Sequence, residues 1–559
     1  MPPVFVVYER AGIKWLSGAV AENVHTTPFR SLPIVIHSEP PAFAPAEPSL
    51  ARRIFSFPAA LVTLVAASVF ALARKGLADP DIWWHLRNAQ QLLRASQWPR
   101  VDAYSYTVFG NAWINPEWLG ELPYYFVWRA FGLLGIKLLS ILILELIFGG
   151  VLYLCWRKSG NIKAAAVACY LAILLGSVSF GPRTLLFGYI YLLALLFLLE
   201  DFRARGGMRL WLVPALFCAW INTHGSWAFG LIVLAIFISG GLVEGTWGRV
   251  EATRWSGAQL RRLGGCLAAS IAALFANPYG YRLVLYPLDM AFRQKLNIAH
   301  VAEWSSVDFH DARGKIALLF LVTLLLAALF GRGRWQLYEM GWALLGVYAG
   351  LTYVRFLFLA GILAAPLITD FLAFLPRYRP EIDRPEWNAL MIAAAFAFMA
   401  WTFPTGQQLR QSVDREYPSE ILPRLSSLTV SDHVLNYYLW GGYLGWRDPQ
   451  FRDFIDSRVD VFEYAGVLKD YLDLLTPKDP FPILDKYQIR YVLFPPDEAL
   501  TYVLQHDARW KVVFSGQVSI LFERVDKPAG YARSAVCNAP SCAAMLPPSA
   551  ADERSATSP

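Results

Sequence analysis

The sequence predicts a mainly α-helical, multi-spanning membrane bundle of about eleven helices, followed by a small C-terminal α/β domain. Three observations predict it. The 559-residue chain is 56 % hydrophobic and 17 % charged, whereas soluble domains run at about 45–50 % and about 25 %. Its apolar runs approach the ~20 residues that cross a hydrocarbon core of about 30 Å. Lys and Arg alternate along the chain between rich and poor loops, as orientation in a bilayer demands.

Residues 1–50 are Pro-rich and lack a basic stretch leading into an apolar one. They read as a disordered extension, or as sequence upstream of the true start, rather than as a cleaved signal peptide. Spans are expected at 54–73, 134–156, 163–180, 184–200, 209–223, 226–243, 261–276, 315–330, 337–350, 353–375 and 387–404. Together they make a transmembrane domain over 51–404. Arg52 and Arg53 place the start of the first span in the cytoplasm. Alternation then puts Arg157, Lys158 and Lys163 inside, with Arg203, Arg205, Arg209, Arg249, Arg254, Arg261 and Arg262. Arg332, Arg334, Arg377, Arg379 and Arg384 follow them, while the short outside turns hold only Arg183 and Arg355. Counting 118–131 as a span would invert this pattern, and the segment carries Glu121 and Pro123. It reads as a helix lying along the membrane interface.

Eleven spans leave the C-terminus outside, with long outside loops at 74–133 and 277–314. Residues 405–525 form an outside α/β domain, with strands expected at FRDFID, RYVLF, WKVVF and SILFER and helices at LDKYQ and DEALTYVLQH. Residues 526–559, rich in Ala, Ser and Pro, read as a disordered tail. Cys155, Cys169, Cys218 and Cys266 fall in apolar runs, and Cys537 and Cys542 in the tail can pair only in an oxidising compartment. The net charge of +7 is topological, because the cations sit in loops between apolar runs; nucleic acid is not an expected partner, and the lipid bilayer is.

Ionisable residues gather on the outside ends, where a charge facing lipid at mid-depth costs roughly 2.5–3.5 kcal/mol. A shared polar cavity explains the set better than chance loop polarity. Asp79-Pro-Asp81 holds two carboxylates two positions apart, able to present oxygens to one substrate hydroxyl or to one divalent metal such as Mn or Mg. Trp84 and His85 follow at once as candidate substrate contacts. Glu117, in W-I-N-P-E-W-L-G-E, is fitted to bind a sugar hydroxyl, polarise an acceptor, or simply cap the interfacial helix. Arg183 and Arg355 are candidate phosphate clamps, because guanidinium offers paired donors; headgroup snorkelling is their bland alternative. His224 in N-T-H-G, Asn277 and Tyr279 in N-P-Y-G, and Glu303 with His310 in E-W-S-S-V-D-F-H complete the candidate binding set.

D-P-D-I-W-W-H-L, P-R-V-D-A-Y-S-Y-T, W-I-N-P-E-W-L-G-E, W-I-N-T-H-G, A-N-P-Y-G-Y, E-W-S-S-V-D-F-H, W-G-G-Y-L-G-W and F-I-D-S-R-V-D-V-F, spread over 54–525, resemble a group of bacterial multi-spanning proteins related to the glycosyltransferase C superfamily. That resemblance implies helices around a cleft facing outside, an acidic residue near the exit of the first helix, and a polyprenyl-phosphate-linked sugar donor. Asp81, and secondarily Asp79, match the acidic position. The D-P-D-I-W-W-H form departs from the acidic pair of the protein-mannosyl and aminoarabinose branches, which leaves donor and acceptor open. The expectation is an inverting membrane glycosyltransferase of a bacterial inner membrane, acting on an extracytoplasmic glycan, lipid or protein. A transporter or flippase of a lipid-linked or anionic substrate is the alternative, with Glu145 as its main mid-helix acid. A non-catalytic envelope assembly protein is the third.

Overall fold

A computed structural model describes residues 49–525, apart from positions 75, 78 and 208. The expected N-terminal extension up to residue 48, the tail after residue 525, and Cys537 and Cys542 lie outside the described residues. All eleven segments read as spans form helices. They are α1 (Phe57–Ala73), α3 (Trp118–Ser159), α4 (Ile162–Gly176), α5 (Leu185–Arg205), α6 (Leu212–Ile221), α7 (Trp227–Ser239), α8 (Gly257–Ala273), α10 (Ala312–Phe330), α11 (Leu337–Thr352), α12 (Leu357–Ile368) and α13 (Pro385–Thr402). Among the described residues, five helices are long and apolar enough to cross a membrane, or six if α13 counts with Gly406–Glu416 across a 57° bend. Three more, α1, α6 and α7, are apolar but shorter.

At the centre stands α12, every side chain of which is buried except Pro366. In lipid, apolar side chains gain little by meeting one another, so close backbone approach must hold helices together. Small residues supply it. A β-carbon on Gly361 would lie 3.3 Å from the Ala172 carbonyl oxygen, and one on Gly346 would lie 2.9 Å from Ala360 Cα. Phe358 of α12 stacks on Phe148 of α3 with ring centroids 5.1 Å apart.

Gly132 breaks α3 in two, with φ 59° and ψ −142°, a conformation essentially reserved for glycine. The break is sharp. In a straight helix eight residues span about 12 Å, yet a β-carbon on Gly135 would sit 2.1 Å from the Val127 carbonyl oxygen. The segment before Gly132 is thus an element distinct from the helix after it, as the inverted-charge argument requires.

In the two long loops, two helices of thirteen or more residues were not expected. The first long loop contains α2 (Asp81–Ala95) and the second contains α9 (Tyr281–Arg293). Asp81 is the first residue of α2, where a carboxylate suits the positive end of the helix. Lys137 of α3 is buried and donates to the carbonyls of Ala73 and Gly76 at 2.9 and 2.7 Å. It satisfies carbonyls that the end of α1 leaves open, and so fixes how the chain leaves α1 toward Asp79.

Strands β1 (Gly245–Trp247), β2 (Val250–Ala252) and β3 (Trp335–Gln336) form a small sheet joining two loops. Beyond α13, β4 (Val434–Asn436), β5 (Tyr491–Phe494), β6 (Trp510–Ser515) and β7 (Ile520–Arg524) build a four-stranded sheet in the order β4-β5-β7-β6. Within this sheet β4 and β5 pair in parallel and the other pairs are antiparallel. The strands expected at RYVLF, WKVVF and SILFER are β5, β6 and β7, and helices form at Phe481–Lys486 and Ala499–Gln505. F-R-D-F-I-D is not a strand. Asp453 and Asp456 turn inward beside the buried Arg458, and apart from a bridge between Asp453 and Ser105 the segment pairs with no strand. The short run Val434–Asn436 takes the sheet position instead.

Candidate functional site

Helices α1, α4, α6 and α11 all finish at one end of the bundle, and the turns that follow them carry Asp79, Arg183, His224 and Arg355. The start of α3 brings Glu117 and Glu121 to the same end, α2 brings Asp81 and His85, and a short turn before α10 brings Glu303.

Arg183 is the hub. Its Nε donates to Asp79 and a terminal nitrogen pairs with Glu303. Asp79 is 1 % exposed and its other oxygen accepts the Asp81 N–H at 3.0 Å. Burial opposes the charge on Arg183, but the Asp79 and Glu303 carboxylates outweigh it and raise its pKa well above the ordinary value. Burial works against the Glu303 charge as well, yet Arg183 wins and lowers its pKa. Asp81 stands beside this triad, half-buried. Its Oδ1 accepts from Trp84 Nε1 at 3.2 Å.

A second layer lies behind. Glu121 is wholly buried and accepts from Asn88 at 3.1 Å and Asn115 at 2.8 Å. His85 Nδ1 lies 3.0 Å from Glu121, and its Nε2 lies 3.3 Å from Glu117. Nδ1 of His85 is the third group on Glu121, and a donor at that nitrogen fits beside the two amide donors. Glu117 also accepts from Thr184 at 2.7 Å and meets His224 Nε2 at 3.3 Å. His224 Nδ1 accepts the Ser226 N–H at 2.9 Å, which leaves the proton of the neutral ring on Nε2, aimed at Glu117. Burial, with the Arg355, His85 and Arg183 charges, holds the His224 pKa down at about 3. Burial pushes Glu117 up to about 7, against the pull of His85 and Thr184. For His85 burial again lowers, but Glu121 and Glu117 prevail and raise it.

Residues of the C-terminal region meet these groups. Trp84 Nε1 donates to Ser457 Oγ at 3.1 Å as well as to Asp81. Tyr286 of α9 donates to Asp460 at 3.2 Å, whose carboxyl burial pushes up to about 7 against Arg458.

No family model and no curated protein matches the chain. Solved structures similar to it include the oligosaccharyltransferase of Archaeoglobus fulgidus tethered to an acceptor peptide, at 12 % identity and TM-score 0.48, covering 79 % of this chain and 70 % of that one. ArnT of Cupriavidus metallidurans bound to undecaprenyl phosphate matches at 14 % identity and TM-score 0.46, covering 84 % of this chain and 98 % of that one.

The candidate set thus divides. Asp79, Asp81, Glu117, Arg183, His224 and Glu303 come together. Arg355 lies close enough for its charge to act on His224 and Glu303, with its guanidinium 4.4 Å from the centre of the Trp304 ring. Trp84 and His85 are there but buried behind the acids, so they position carboxylates rather than face open space. Three residues are not part of the cluster. Asn277 holds its own turn through the Leu274 and Gly280 carbonyls. Tyr279 donates to the Pro99 carbonyl at 3.0 Å. The His310 side chain is 99 % exposed and bonds only to Asp308. Sequence reasoning missed Thr184, Ser457, Tyr286 and Asp460. Of these only Ser457 and Asp460 carried a signal, inside F-I-D-S-R-V-D-V-F. Among the described residues, no group of three or more His, Cys, Asp or Glu is gathered so as to hold a metal ion, and Arg183 already engages the Asp79 carboxylate.

Proposed function

We propose that the chain is a membrane glycosyltransferase that moves a sugar from a polyprenyl-phosphate-linked donor to an acceptor, with inversion at the anomeric carbon. The observation that carries this reading is the meeting of Arg183, Asp79, Glu303 and Asp81 at one end of a helical bundle. A lipid phosphate leaving group needs fixed cationic donors where its charge develops, and such preorganised donors are worth about 2.7–4 kcal/mol each when removed from other enzymes. Arg183 is fixed from two sides, and Arg355 adds a second guanidinium nearby.

In this reading the acceptor hydroxyl gives its proton to Asp81 as its oxygen bonds to the anomeric carbon. The bond between that carbon and the phosphate oxygen breaks, and its electron pair leaves with the lipid phosphate, beside Arg183. Asp79 and Glu303 position Arg183, and Trp84 orients Asp81. Glu117, backed by His85 and His224, binds a sugar hydroxyl. No step is routed through a metal ion. The distribution of Lys and Arg supports placing the N-terminus of the bundle in the cytoplasm, with the cleft and the C-terminal domain outside a bacterial inner membrane.

The test is transfer of radiolabelled sugar from a polyprenyl-phosphate donor by the purified full-length protein. Asp81→Asn, folded as judged by gel filtration, should lose transfer by at least about a hundredfold, within the range general bases contribute. Undiminished transfer in Asp81→Asn removes it from the mechanism.

A further inference from the structure

The opposite end of the bundle, where α3 and α5 finish and α11 begins, holds a cavity of about 270 Å³. It is far larger than the roughly 10–15 Å³ that a single water needs, and it takes no part in the site above. Its inner wall is apolar, made by Leu154, Leu196, Trp342, Leu363 and Leu367. Its mouth is charged, and the charges are mixed: Arg157, Lys158, Glu200 and Glu339. Two of these cancel, since Lys158 donates to both oxygens of Glu339 at 2.7 and 2.6 Å. The remaining two are an unlike pair. Arg157 is exposed and forms no ion pair among the described residues. Among the described residues, Glu200 accepts from the Tyr338 hydroxyl, at 3.0 Å, and keeps acceptor capacity to spare.

An apolar pit with a polar rim at the end of a helix bundle suits an amphipathic molecule, and pockets between membrane helices at a Lys/Arg-rich end are recognised sites for lipid headgroups. A mouth with one cation outside any ion pair, 6.0 Å from the Tyr153 ring centre, and one anion with acceptor capacity to spare favours a head that carries both signs. We propose that this cavity holds one acyl chain of a zwitterionic phospholipid, with its ammonium on Glu200 and its phosphate on Arg157. A purely anionic head would satisfy Arg157 but face Glu200. The site is independent of the transferase reading, because none of its residues lies at the other end.

The experiment is native mass spectrometry of the delipidated full-length protein in detergent, offered equal amounts of phosphatidylethanolamine and phosphatidylglycerol with matched chains. The ethanolamine lipid should be retained about tenfold more, the worth of one charge-assisted hydrogen bond. Glu200→Gln should erase that preference. Arg157→Ala, on an exposed face where folding is safe, should weaken binding of both lipids, and Leu363→Trp should do so by filling the pit. Equal retention of the two lipids, a preference for the glycerol head, or a preference unchanged in Glu200→Gln and binding unchanged in Arg157→Ala overturns the proposal. Unchanged binding in a folded Leu363→Trp protein overturns the placement of the chain.

Discussion

Arg183 and Asp79 offer a test of the cleft that needs no assumption about its chemistry. Replacing Arg183 by methionine keeps most of the stem but removes the guanidinium that bonds Asp79. The Asp79 side chain is 2 % exposed, so water cannot take the lost partner's place. The Asp81 N–H remains as its donor. Stranding a buried charge by removing one partner costs about 3–5 kcal/mol. Protonation of Asp79 relieves part of that, at 1.36 kcal/mol per pH unit separating its pKa from the working pH. Asp79→Asn added to Arg183→Met removes the stranded charge altogether. The double variant should therefore be more stable than Arg183→Met alone, with a coupling of about 2 kcal/mol, inside the 0.5–3 kcal/mol range of directly contacting residues. The assay is unfolding by SDS in mixed micelles, followed by far-UV circular dichroism. Effects that simply add, within about 0.5 kcal/mol, would refute the claim that this pair is buried and mutually dependent.

Glu117 and His224 should tilt stability with pH in opposite senses. The fold raises Glu117 from 4.5 to about 7, so the folded state binds its proton more tightly and stability falls as pH rises through that interval. The size is about 3 kcal/mol at 1.36 kcal/mol per unit. Glu117→Gln should flatten that fall. The fold lowers His224 from 6.5 to about 3, so the unfolded chain binds that proton first and stability rises from pH 3 to 6.5; His224→Gln should remove the rise. Unfolding curves of the variants that stay parallel to the parent across pH 4–8 would contradict both assignments. Gly135→Ala must push a β-carbon into the Val127 carbonyl and should abolish the yield of folded protein, whereas Gly264→Ala, with open space around it, should be neutral or gain up to about 1 kcal/mol; size-exclusion profiles distinguish them. Lys137→Met leaves the carbonyls of Ala73 and Gly76 without this donor, which should cost about 1–3 kcal/mol in the same SDS titration and free the Asp79 segment to proteolysis.

Helices were legible in the sequence because membrane-length apolar runs are long signals, and because the alternation of Lys and Arg cross-checks their number. The convergence of Asp79, Asp81, Glu117, Arg183 and His224 was legible for the same reason, since once the turns are assigned to one end their polar residues must share it. Two kinds of feature escaped. Helix α2 is an amphipathic stretch without an apolar run, D-I-W-W-H-L-R-N-A-Q-Q-L-L-R-A, and reads as loop to anyone counting spans. Asn277, Tyr279 and His310 sit in outside-facing loops like the true members, but whether a loop residue turns inward or caps its own turn depends on backbone conformation that composition does not encode. The pairing of Arg183 with Glu303 joins residues more than a hundred positions apart, and no local pattern carries it.

A buried ionic knot sits among the apolar side chains that join the first long loop to the C-terminal region. Arg458 of the C-terminal domain is 3 % exposed and pairs with Asp102 of the first long loop at 2.8 Å and with its own neighbour Asp456 at 2.6 Å. Tyr104 and Trp113 face its guanidinium, each ring centre 4.7 Å away, and Asp453 is buried alongside. Such a cluster is a poor source of stability, because desolvation consumes most of the Coulombic gain. Its value lies in geometry: a salt bridge tolerates one register, where an apolar contact tolerates several. Ser457, the residue before Arg458, accepts from Trp84 Nε1, which also donates to Asp81. Setting Arg458 therefore sets Ser457, and through Trp84 it sets the half-buried carboxylate on which the transfer reading depends. Distant residues in the C-terminal domain and a loop eighty positions before Arg183 are thereby made part of one site.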